Sequence, residues 1–464
     1  MVELKPFKAA ILNPELENVS EMICPVYDTI DASLYERYSV SKNNVIHFTT
    51  RKNGVEENKF VDYAKQNLNR FFNDGILIEC EKPAFYIYGV RYSLSEEIME
   101  QIPEEERRET YFAFGLVALV KVEELNGHSI LGHEKTFEAN TLERYRLVKE
   151  CGMNFSPIVA EYNMPNHDIN RIFEDYLGFI RPDLKIEERK KPIVDVELNG
   201  ARHLLWEVSD EEIIRKIQEL MQNKKILILD GHHRYTASYR LSRERGGETK
   251  YALMMLLEGG DRALLLLPWH RCVRKCRMED LWTQIEENFI VESYDRSENV
   301  RETIHSKLNE CNDEFDVRLG MYDGEKFYLL RADEQRIRKL AAERGERVGL
   351  DVISLHEWLI EPTLKPLRGL QVSPFWACGG TGGARHGAEP HIGKPEDVVF
   401  TASPKDAIEK VDMGAYRVAF FLKPLKLTNV EYKARVERKA FPQKSTLFLP
   451  KVAEGVVMWK VGEE

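Results

Sequence analysis

The sequence predicts a mixed α/β protein (α+β elements included) with several domains, and three observations support this. Its 464 residues exceed what one ordinary core holds, and length alone suggests about three domains. Short apolar runs typical of strands alternate with segments of helical spacing along the chain. Hydrophobic residues make up 43% and charged residues 31%, a globular balance. We expect an N-terminal α/β domain at 1–115, a central catalytic domain at 116–275 and a C-terminal α/β domain at 276–464.

The overall charge and the cysteines restrict the class of protein. A formal net charge of -11 makes nucleic acid an unlikely partner, because non-specific binding to it needs a basic face that releases counterions. No run approaches the roughly 18–20 apolar residues of a membrane span, and MVELKPFKAA lacks the apolar core of a secretion signal. The 7 cysteines are scattered, as in reduced cytosolic chains, and we expect a cytoplasmic enzyme. His270, Cys272 and Cys276 lack a fourth ligand at a standard zinc spacing.

In the first half of the chain, apolar spacing and capping residues predict the elements. Residues 58–74 carry apolar side chains on one side of a helix. Strands are expected at 85–88 and 112–122, the second in a sheet covered on both faces because it is almost continuously apolar. Ser95 is a helix cap, and Ser209-Asp210 opens a helix that ends near residue 223.

The same signals continue in the second half. A buried strand at 226–229 leads into a helix that stops at Gly246-Gly247. Asp323-Gly324 predicts a hairpin between two strands, and Asp351 is expected to cap a helix. The remaining strands are expected at 251–257, 263–267, 289–292, 446–449 and 456–461, and the remaining helices at 278–288, 298–312 and 333–345.

The five residues 230–234, called here the DGHHR turn, are the strongest candidate site. A glycine between a strand and a helix lets backbone approach an anion, and the first helix amides favour negative charge. Asp230 can hold Mg²⁺ directly or through water. His232 and His233 can donate to phosphoryl oxygens, and Arg234 supplies a bidentate fork. The alternative is an ordinary Asp-Gly turn, with Gly231 at its bend, followed by a solvated pair of histidines.

At these residues the chain resembles two related groups of proteins. DGHHRYTA is similar to the phosphate turn of the free serine kinases in the ParB/sulfiredoxin superfamily. Over its full length the chain resembles the bacterial and archaeal family named domain of unknown function 1015. The matching stretches are LKPFKA at 4–9, CPVYDTI at 24–30, NVIHF at 44–48, PAFYIY at 83–88, GHEKT at 132–136, NFSPI at 154–158, DGHHRYTA at 230–237, LPWHR at 267–271 and FPQKSTLFLPK at 441–451.

This resemblance implies a ParB/sulfiredoxin-like central domain of short strands and helices. It also implies a base, because the serine kinases place a Glu upstream of the turn to take the hydroxyl proton of serine. Glu134, after His133 in GHEKT, is the candidate match. Such a base suits phosphoryl transfer to an alcohol. The alternative is that Glu134 is a surface carboxylate beside Lys135.

Other residues are candidates for holding a substrate. They are Tyr27 and Asp28 in CPVYD, His133, Asn154 and Ser156 before Pro157, and His270 and Arg271 at the end of an apolar strand. Each has a structural alternative. CPVYD can be an Asx-turn with a packed tyrosine, Asn154 and Ser156 can shape a loop, and Arg271 can form a salt bridge. Arg144 and Arg146 are interpreted as solvated charges on a helix.

A basic, hydroxyl-bearing stretch near the C-terminus is a candidate second phosphate contact. It contains Lys444, Ser445, Thr446 and Lys451, bracketed by two prolines. The glycine-rich stretch 376–391 lacks the ending of a phosphate loop and is interpreted as a loop of unassigned role.

Together with the resemblance, these residues predict a magnesium-dependent kinase for a small hydroxyl compound, and the resemblance to the free serine kinases implies L-serine as the acceptor. We expect ATP, ADP or inorganic pyrophosphate as the donor. Catalysis is assigned to Glu134, Asp230 and His233. Two alternatives remain: a nucleotide-binding regulatory protein of the ParB superfamily, and a metal-dependent phosphohydrolase.

Overall fold

The computed structural model describes residues 1–134, 136, 138–178, 190–297, 299–310, 314–364, 397–442 and 444–462. The glycine-rich stretch 376–391 lies outside these residues. The chain forms two compact units. Unit 1 comprises Met1–Ser93, Arg108–Leu265 and Phe448–Glu464, and unit 2 comprises Leu94–Arg107 and Leu266–Leu447.

The structure confirms a mixed α/β protein built from more than one unit. The three expected domains are each one continuous stretch of chain, whereas each of the two units combines separate stretches. Residue 115 falls inside the strand Tyr111–Lys121, and the last segment of the chain belongs to unit 1. A division by contacts differs from a division by sequence because strand pairing joins residues that are distant along the chain.

Unit 1 is built on a nine-stranded mixed sheet. In spatial order its strands are Val194–Leu198, Ala201–Val208, Phe85–Tyr92, Tyr111–Lys121, Tyr251–Glu258, Ile158–Tyr162, Ile226–Asp230 and Ile130–Gly132, with Leu4–Lys5 paired to Tyr111–Lys121. Two pairs are parallel: Ile226–Asp230 with Ile130–Gly132, and Tyr251–Glu258 with Ile158–Tyr162. Small antiparallel pairs join Ala10–Leu12 to Leu77–Glu79, Cys24–Pro25 to Ala453–Glu454, and Met153–Asn154 to Trp459–Lys460.

Helices cover this sheet. They are Ala32–Ser39, Ile46–Thr49, Glu57–Asn73, Glu138–Cys151, Asp168–Leu177, Glu211–Met221 and His232–Arg245, with short 3₁₀ turns at Val19–Met22, Tyr27–Thr29 and Gly247–Lys250. Ile169 and Phe173 of one helix and Ile217 of another pack into the sheet's main core. The strand Tyr111–Lys121 is buried except at Lys121, as its continuous apolar run predicts.

Unit 2 contains a six-stranded sheet in which every described pairing is antiparallel. Its strands in order are Phe289–Asp295, Lys326–Ala332, Arg318–Tyr322, Val418–Phe421, His270–Val273 and Val398–Thr401. Its helices are Glu96–Met99, Met278–Asn288, Val300–Asn309, Glu334–Arg344, Leu350–Ser354, Glu361–Leu364, Pro404–Asp412 and Leu427–Tyr432, with a 3₁₀ turn at Glu104–Glu106 and π-helical turns at Leu355–Ile360 and Lys433–Glu437. Successive residues of one strand face opposite cores, Phe420 on one side and Phe421 on the other.

Most predicted elements are confirmed within a few residues, and one cap is wrong. Asp210 caps its helix through its side chain, Gly246 ends the helix after the DGHHR turn, and Gly324 takes a positive φ of 98° in the predicted hairpin. The helix expected to begin at Asp351 is capped instead by Gly349, with φ 72°, and Asp351 is buried in the first turn. Among the residues described, no helix is long and apolar enough to cross a membrane.

Candidate phosphate-binding site

The DGHHR turn joins a buried strand to a helix, as the sequence predicts. The strand Ile226–Asp230 ends at Asp230, and the helix His232–Arg245 begins two residues later. Gly231 lies between them with φ 93° and ψ 29°, a left-handed conformation in which a side chain would be strained. A Cβ at Gly231 would also lie 2.9 Å from Nε of Arg234. Glycine has no side chain with which to cap the first helix amides, so these amides are suited to an anion.

Glu134 and Asp230 follow neighbouring parallel strands. The register pairs Ile228 with Gly132. Asp230 comes two residues after Ile228, and Glu134 comes two residues after Gly132. Parallel strands run about 4.8 Å apart, so both carboxylates lie at the same carboxyl edge of the sheet. The structure therefore places Glu134 at the same sheet edge as Asp230, and its role as base stays a prediction.

Asp230 is flanked by two cations. Nζ of Lys451 donates to Oδ2 of Asp230 at 2.9 Å, and Nη2 of Arg234 lies 3.9 Å from the same oxygen. The side chains of Asp230 and Arg234 are only 12% and 11% exposed, so water screens these charges weakly. The structure thus groups Lys451 with the turn despite their separation of 221 residues.

Arg234 is anchored from the side away from Asp230. Its Nη1 donates to Oγ of Ser156 at 2.7 Å and to the carbonyl oxygen of Pro157 at 2.7 Å. Oγ of Ser156 in turn donates to Oε1 of Glu454 at 3.1 Å. Ser156, expected to contact a substrate, is buried and instead bonds to the guanidinium and the carboxylate, because the loop before the strand Ile158–Tyr162 folds against the turn.

Two charged residues beside this network were missed from the sequence. Glu454 is buried, and burial raises the pKa of its carboxyl group while the charges of Arg234 and Arg144 oppose that rise. Arg144 was interpreted as solvated, which is wrong because only 5% of it is exposed. Its guanidinium lies 4.0 Å from the centre of the Tyr27 ring, and Nη1 donates to the carbonyl of Thr49 at 2.7 Å.

Signals for both residues exist in the sequence. Glu454 is a lone carboxylate within the apolar stretch Val452–Met458. Arg144 shares its helix face with Thr141 and Leu147 at a spacing of three, and all three are buried. A charge inside an apolar stretch or face indicates a buried polar network when partners exist elsewhere in the chain.

The histidines of the site differ in their surroundings. The backbone N–H of His133 donates to Nε2 of His232 at 3.2 Å, and Nδ1 of His133 donates to the carbonyl of Ile228 at 2.9 Å. Burial lowers the pKa of His133 to about 4 and that of His232 well below its usual value, so both rings are neutral at pH 7. His133, expected at a substrate, is fully buried and packs on Phe448, with ring centres 5.5 Å apart. His233 is half-buried on the turn.

The other candidate residues of unit 1 differ in how far they are exposed to solvent. Tyr27 begins a 3₁₀ turn. Burial, and after it the charge of Asp28, raises the pKa of its phenol, and the charges of Arg144 and Arg234 oppose that rise. Asp28 is exposed beside it. Asn154 is buried, and its strand pairs with Trp459. Tyr27 thus lies by the charged network, and the pairing of Asn154 is structural.

The remaining candidates belong to unit 2 and are bonded within it. Nε2 of His270 donates to Oε1 of Gln101 at 3.1 Å, its Nδ1 accepts from the N–H of Leu422 at 3.3 Å, and burial lowers its pKa to about 3. Arg271 is fully buried and donates to the carbonyl oxygens of Trp269 and Lys444, the latter at 3.0 Å. Burial lowers the pKa of Arg271 to about 9.

The stretch Lys444–Thr446 shares this framework. Nζ of Lys444 lies 5.2 Å from the centre of the Trp269 ring, and Oγ of Ser445 donates to the carbonyl of Pro442 at 2.5 Å. The carbonyl of Thr446 accepts from Nε1 of Trp269 at 3.1 Å. These bonds are structural, and the expected phosphate contacts of Lys444, Ser445 and Thr446 stay predictions.

Comparison with known proteins gives the family. The model of the family described as "Protein of unknown function (DUF1015)" matches residues 4–353. This chain belongs to that family. The finding confirms the resemblance stated from the sequence motifs, and no curated protein matches the chain in sequence.

Solved structures of similar proteins are more distant. A free serine kinase variant in complex with ADP is 12% identical, with a TM-score of 0.32 over 69% of this chain and 84% of the other. A conserved hypothetical protein from Pyrococcus furiosus is 14% identical, with a TM-score of 0.30 over 69% and 87%. SbnI from Staphylococcus aureus is 10% identical, with a TM-score of 0.30 over 73% and 85%. Likeness at this level says nothing about what this chain binds or catalyses.

Proposed function

We propose that this protein is a magnesium-dependent phosphotransferase that moves a phosphoryl group from ATP, ADP or inorganic pyrophosphate to the hydroxyl of free L-serine. The observation that carries the proposal is the grouping at the DGHHR turn. A carboxylate, Asp230, meets two cations, Lys451 and Arg234, where a glycine opens the N-terminus of a helix. Phosphoryl transfer needs this combination of metal ligand, cations and backbone donors. Serine is chosen as acceptor because DGHHRYTA resembles the turn of the free serine kinases.

Each residue of the site has its own role in the proposed reaction. Glu134, at the same sheet edge as Asp230, takes the proton of the serine hydroxyl. The hydroxyl oxygen forms a bond to the terminal phosphorus of the donor, and the bond from that phosphorus to the bridging oxygen breaks. The leaving group is ADP, AMP or phosphate, according to the donor. Lys451, Arg234, His233 and the turn amides stabilise the charge on the transferred group.

Asp230 is the candidate ligand for Mg²⁺. Mg²⁺ is commonly held by one or two carboxylates together with substrate phosphates and water. Within the described residues no three His, Cys, Asp or Glu side chains form a metal cluster, and the proposal rests on Asp230 alone. Bound there, Mg²⁺ would neutralise charge on the donor phosphates.

One assay tests the proposal. The purified protein is incubated with Mg²⁺, L-serine and each of ATP, ADP and pyrophosphate, and O-phosphoserine is followed by ³¹P NMR. We expect phosphoserine from at least one donor. No phosphoserine from any of them would refute the proposal. Donor binding without turnover would favour a regulatory protein, and release of phosphate at a rate independent of serine would favour a phosphohydrolase.

A further inference from the structure

We infer that Glu454 is a positioning residue that holds Arg234 in place through Ser156, so that binding of the phosphate donor depends on it. This inference rests on the proposed function, because it concerns the same site. The chain of contacts runs from Oε1 of Glu454 to Oγ of Ser156 at 3.1 Å and on to Nη1 of Arg234 at 2.7 Å. All three residues belong to unit 1.

The direction of these hydrogen bonds is determined by chemistry. A guanidinium has only donors, so Arg234 donates and Oγ of Ser156 accepts. The single hydroxyl proton of Ser156 is then available for the carboxylate of Glu454. Glu454 therefore selects the rotamer of Ser156 that turns its lone pairs toward Arg234.

This arrangement fixes the plane of the guanidinium. Nη1 of Arg234 is bonded both to Ser156 and to the carbonyl of Pro157, which uses both of its protons. Because the group is planar, its other nitrogens are fixed as well. Nη2 lies 3.9 Å from Asp230, and Nε lies 2.9 Å from where a Cβ of Gly231 would be. Nε is buried and has no hydrogen-bond partner in the part of the chain that the structure describes.

Charge gives Glu454 a second means of holding Arg234. Glu454 is 1% exposed; burial is the largest influence and raises the pKa of its carboxyl group, and the charges of Arg234 and then Arg144 oppose that rise. Both arginines are largely buried; Arg144 already pairs with Glu143 at 2.6 Å, whereas Arg234 lies 3.9 Å from Asp230, so the charge of Glu454 adds attraction mainly at Arg234. The carboxylate of Glu454 therefore keeps Arg234 at the turn.

Glu454 lies on the same chain segment as Lys451, the other residue of this segment that contacts the turn. Lys451 and Glu454 lie three residues apart on the segment Phe448–Glu464 of unit 1, beyond the residues 4–353 matched by the family model. One contacts Asp230 and the other reaches Arg234 through Ser156. The last segment of the chain thus completes the donor site.

Equilibrium binding of pyrophosphate with Mg²⁺, measured by calorimetry without acceptor, tests this inference. We expect Glu454→Leu and Ser156→Ala to weaken binding by about 10-fold, the loss expected for one charge-assisted hydrogen bond. Glu454→Gln should recover part of the loss, because its amide oxygen still accepts from Ser156. In an Arg234→Met background, Glu454→Leu should add little. Unchanged binding in folded Glu454→Leu and Ser156→Ala would overturn the inference.

Glu258→Leu is the matched control. Glu258 is also a buried carboxylate of unit 1, but it bonds to His167 at the opposite end of the strand Ile158–Tyr162 from Ser156. Its replacement should leave pyrophosphate binding unchanged. If Glu454→Leu does not fold, Ser156→Ala breaks the same link and decides the question.

A second measurement separates this inference from the proposed function. In ¹⁵N-arginine-labelled protein, the Nε–H signal of Arg234 should exchange slowly with water, and faster by about 10-fold in Ser156→Ala. Wild-type protein that binds neither pyrophosphate nor nucleotide would refute the proposed function. The exchange rate would still decide the inference, since an unchanged rate in Ser156→Ala would overturn it.

Discussion

Arg234 of unit 1 and Arg271 of unit 2 are both largely shielded from solvent, but they make different kinds of contact. Arg234 of unit 1 lies beside Asp230, with Ser156 and the carbonyl of Pro157 on its other side. Arg271 of unit 2 is fully buried and donates to two main-chain carbonyls, those of Trp269 and Lys444. The first carries charge at the edge of a sheet, and the second joins two chain segments inside a core.

The sheets explain this difference. Unit 1 contains parallel strand pairs, and the strands before Glu134 and Asp230 therefore end at the same edge. The described strand pairs of unit 2 are all antiparallel, so neighbouring strands end at opposite edges. Polar residues accumulate at one edge only in the first arrangement. We therefore expect substitutions in the unit 1 network to change activity and those around Arg271 to change stability.

The largest effect is expected from Asp230→Asn. The substitution keeps the shape of the side chain but removes the charge that faces Lys451 and the proposed Mg²⁺. Turnover should fall by about 1,000-fold or more, the scale of losing one strong electrostatic contact in a transition state. The melting temperature should also fall, because Lys451 and Arg234 lose the charge of a carboxylate that is only 12% exposed, so activity is compared per folded molecule. Steady-state kinetics and thermal unfolding measure the two quantities. Retained activity would remove Asp230 from the mechanism.

Glu134→Gln should have the next largest effect. The amide cannot accept a proton, so turnover should fall by about 100- to 10,000-fold, the usual contribution of a general base. The affinity for the donor should stay within about 2-fold, because Glu134 acts on the acceptor. Glu138→Gln is the control, since Glu138 lies four residues later, is exposed and pairs with Arg240. Full activity in Glu134→Gln would show that another group takes the proton.

The sequence predicted the turn well because its signals are local. Four apolar residues before Asp230 predict the strand, Gly231 predicts the bend, and Gly246 predicts the end of the helix. Lys451 contacts Asp230 of this turn, and its role in binding phosphate stays a prediction. Such features depend on backbone conformation and on neighbours within a few residues.

The sequence could not predict contacts that depend on tertiary structure. The helix face that Arg144 shares with Thr141 and Leu147 indicates burial, but its contacts with Tyr27 and with the carbonyl of Thr49 come from distant parts of the chain. Glu454 reaches Ser156 across 298 residues of chain. His133 is fully buried against His232 and Phe448, a packing that depends on distant parts of the chain, and its predicted contact with a substrate stays a prediction.

Arg271→Met tests unit 2. Methionine fills similar space but leaves the carbonyls of Trp269 and Lys444 without their donor. Each buried unsatisfied group costs about 1–3 kcal/mol, so the free energy of unfolding should fall by about 2–5 kcal/mol. Activity per folded molecule should stay within about 2-fold. Urea unfolding and kinetics on the folded fraction measure both, and a stable but inactive variant would instead assign Arg271 to catalysis.

Acid is expected to destabilise both units, and the pH at which the loss of stability ends differs between the two units. In the unfolded chain a histidine takes up its proton near pH 6.5, whereas buried His133 takes it up near pH 4 and buried His270 near pH 3. The stability that each contributes is complete above pH 6.5 and declines as the pH falls, by about 1.4 kcal/mol per pH unit for one proton. His133→Asn should flatten the dependence of unfolding free energy on pH between 6.5 and 4, and His270→Asn should extend that flattening to about pH 3. Urea unfolding at a series of pH values measures both slopes. A wild-type slope in His133→Asn would show that its ring is protonated in the folded protein, which would contradict its burial between His232 and Phe448.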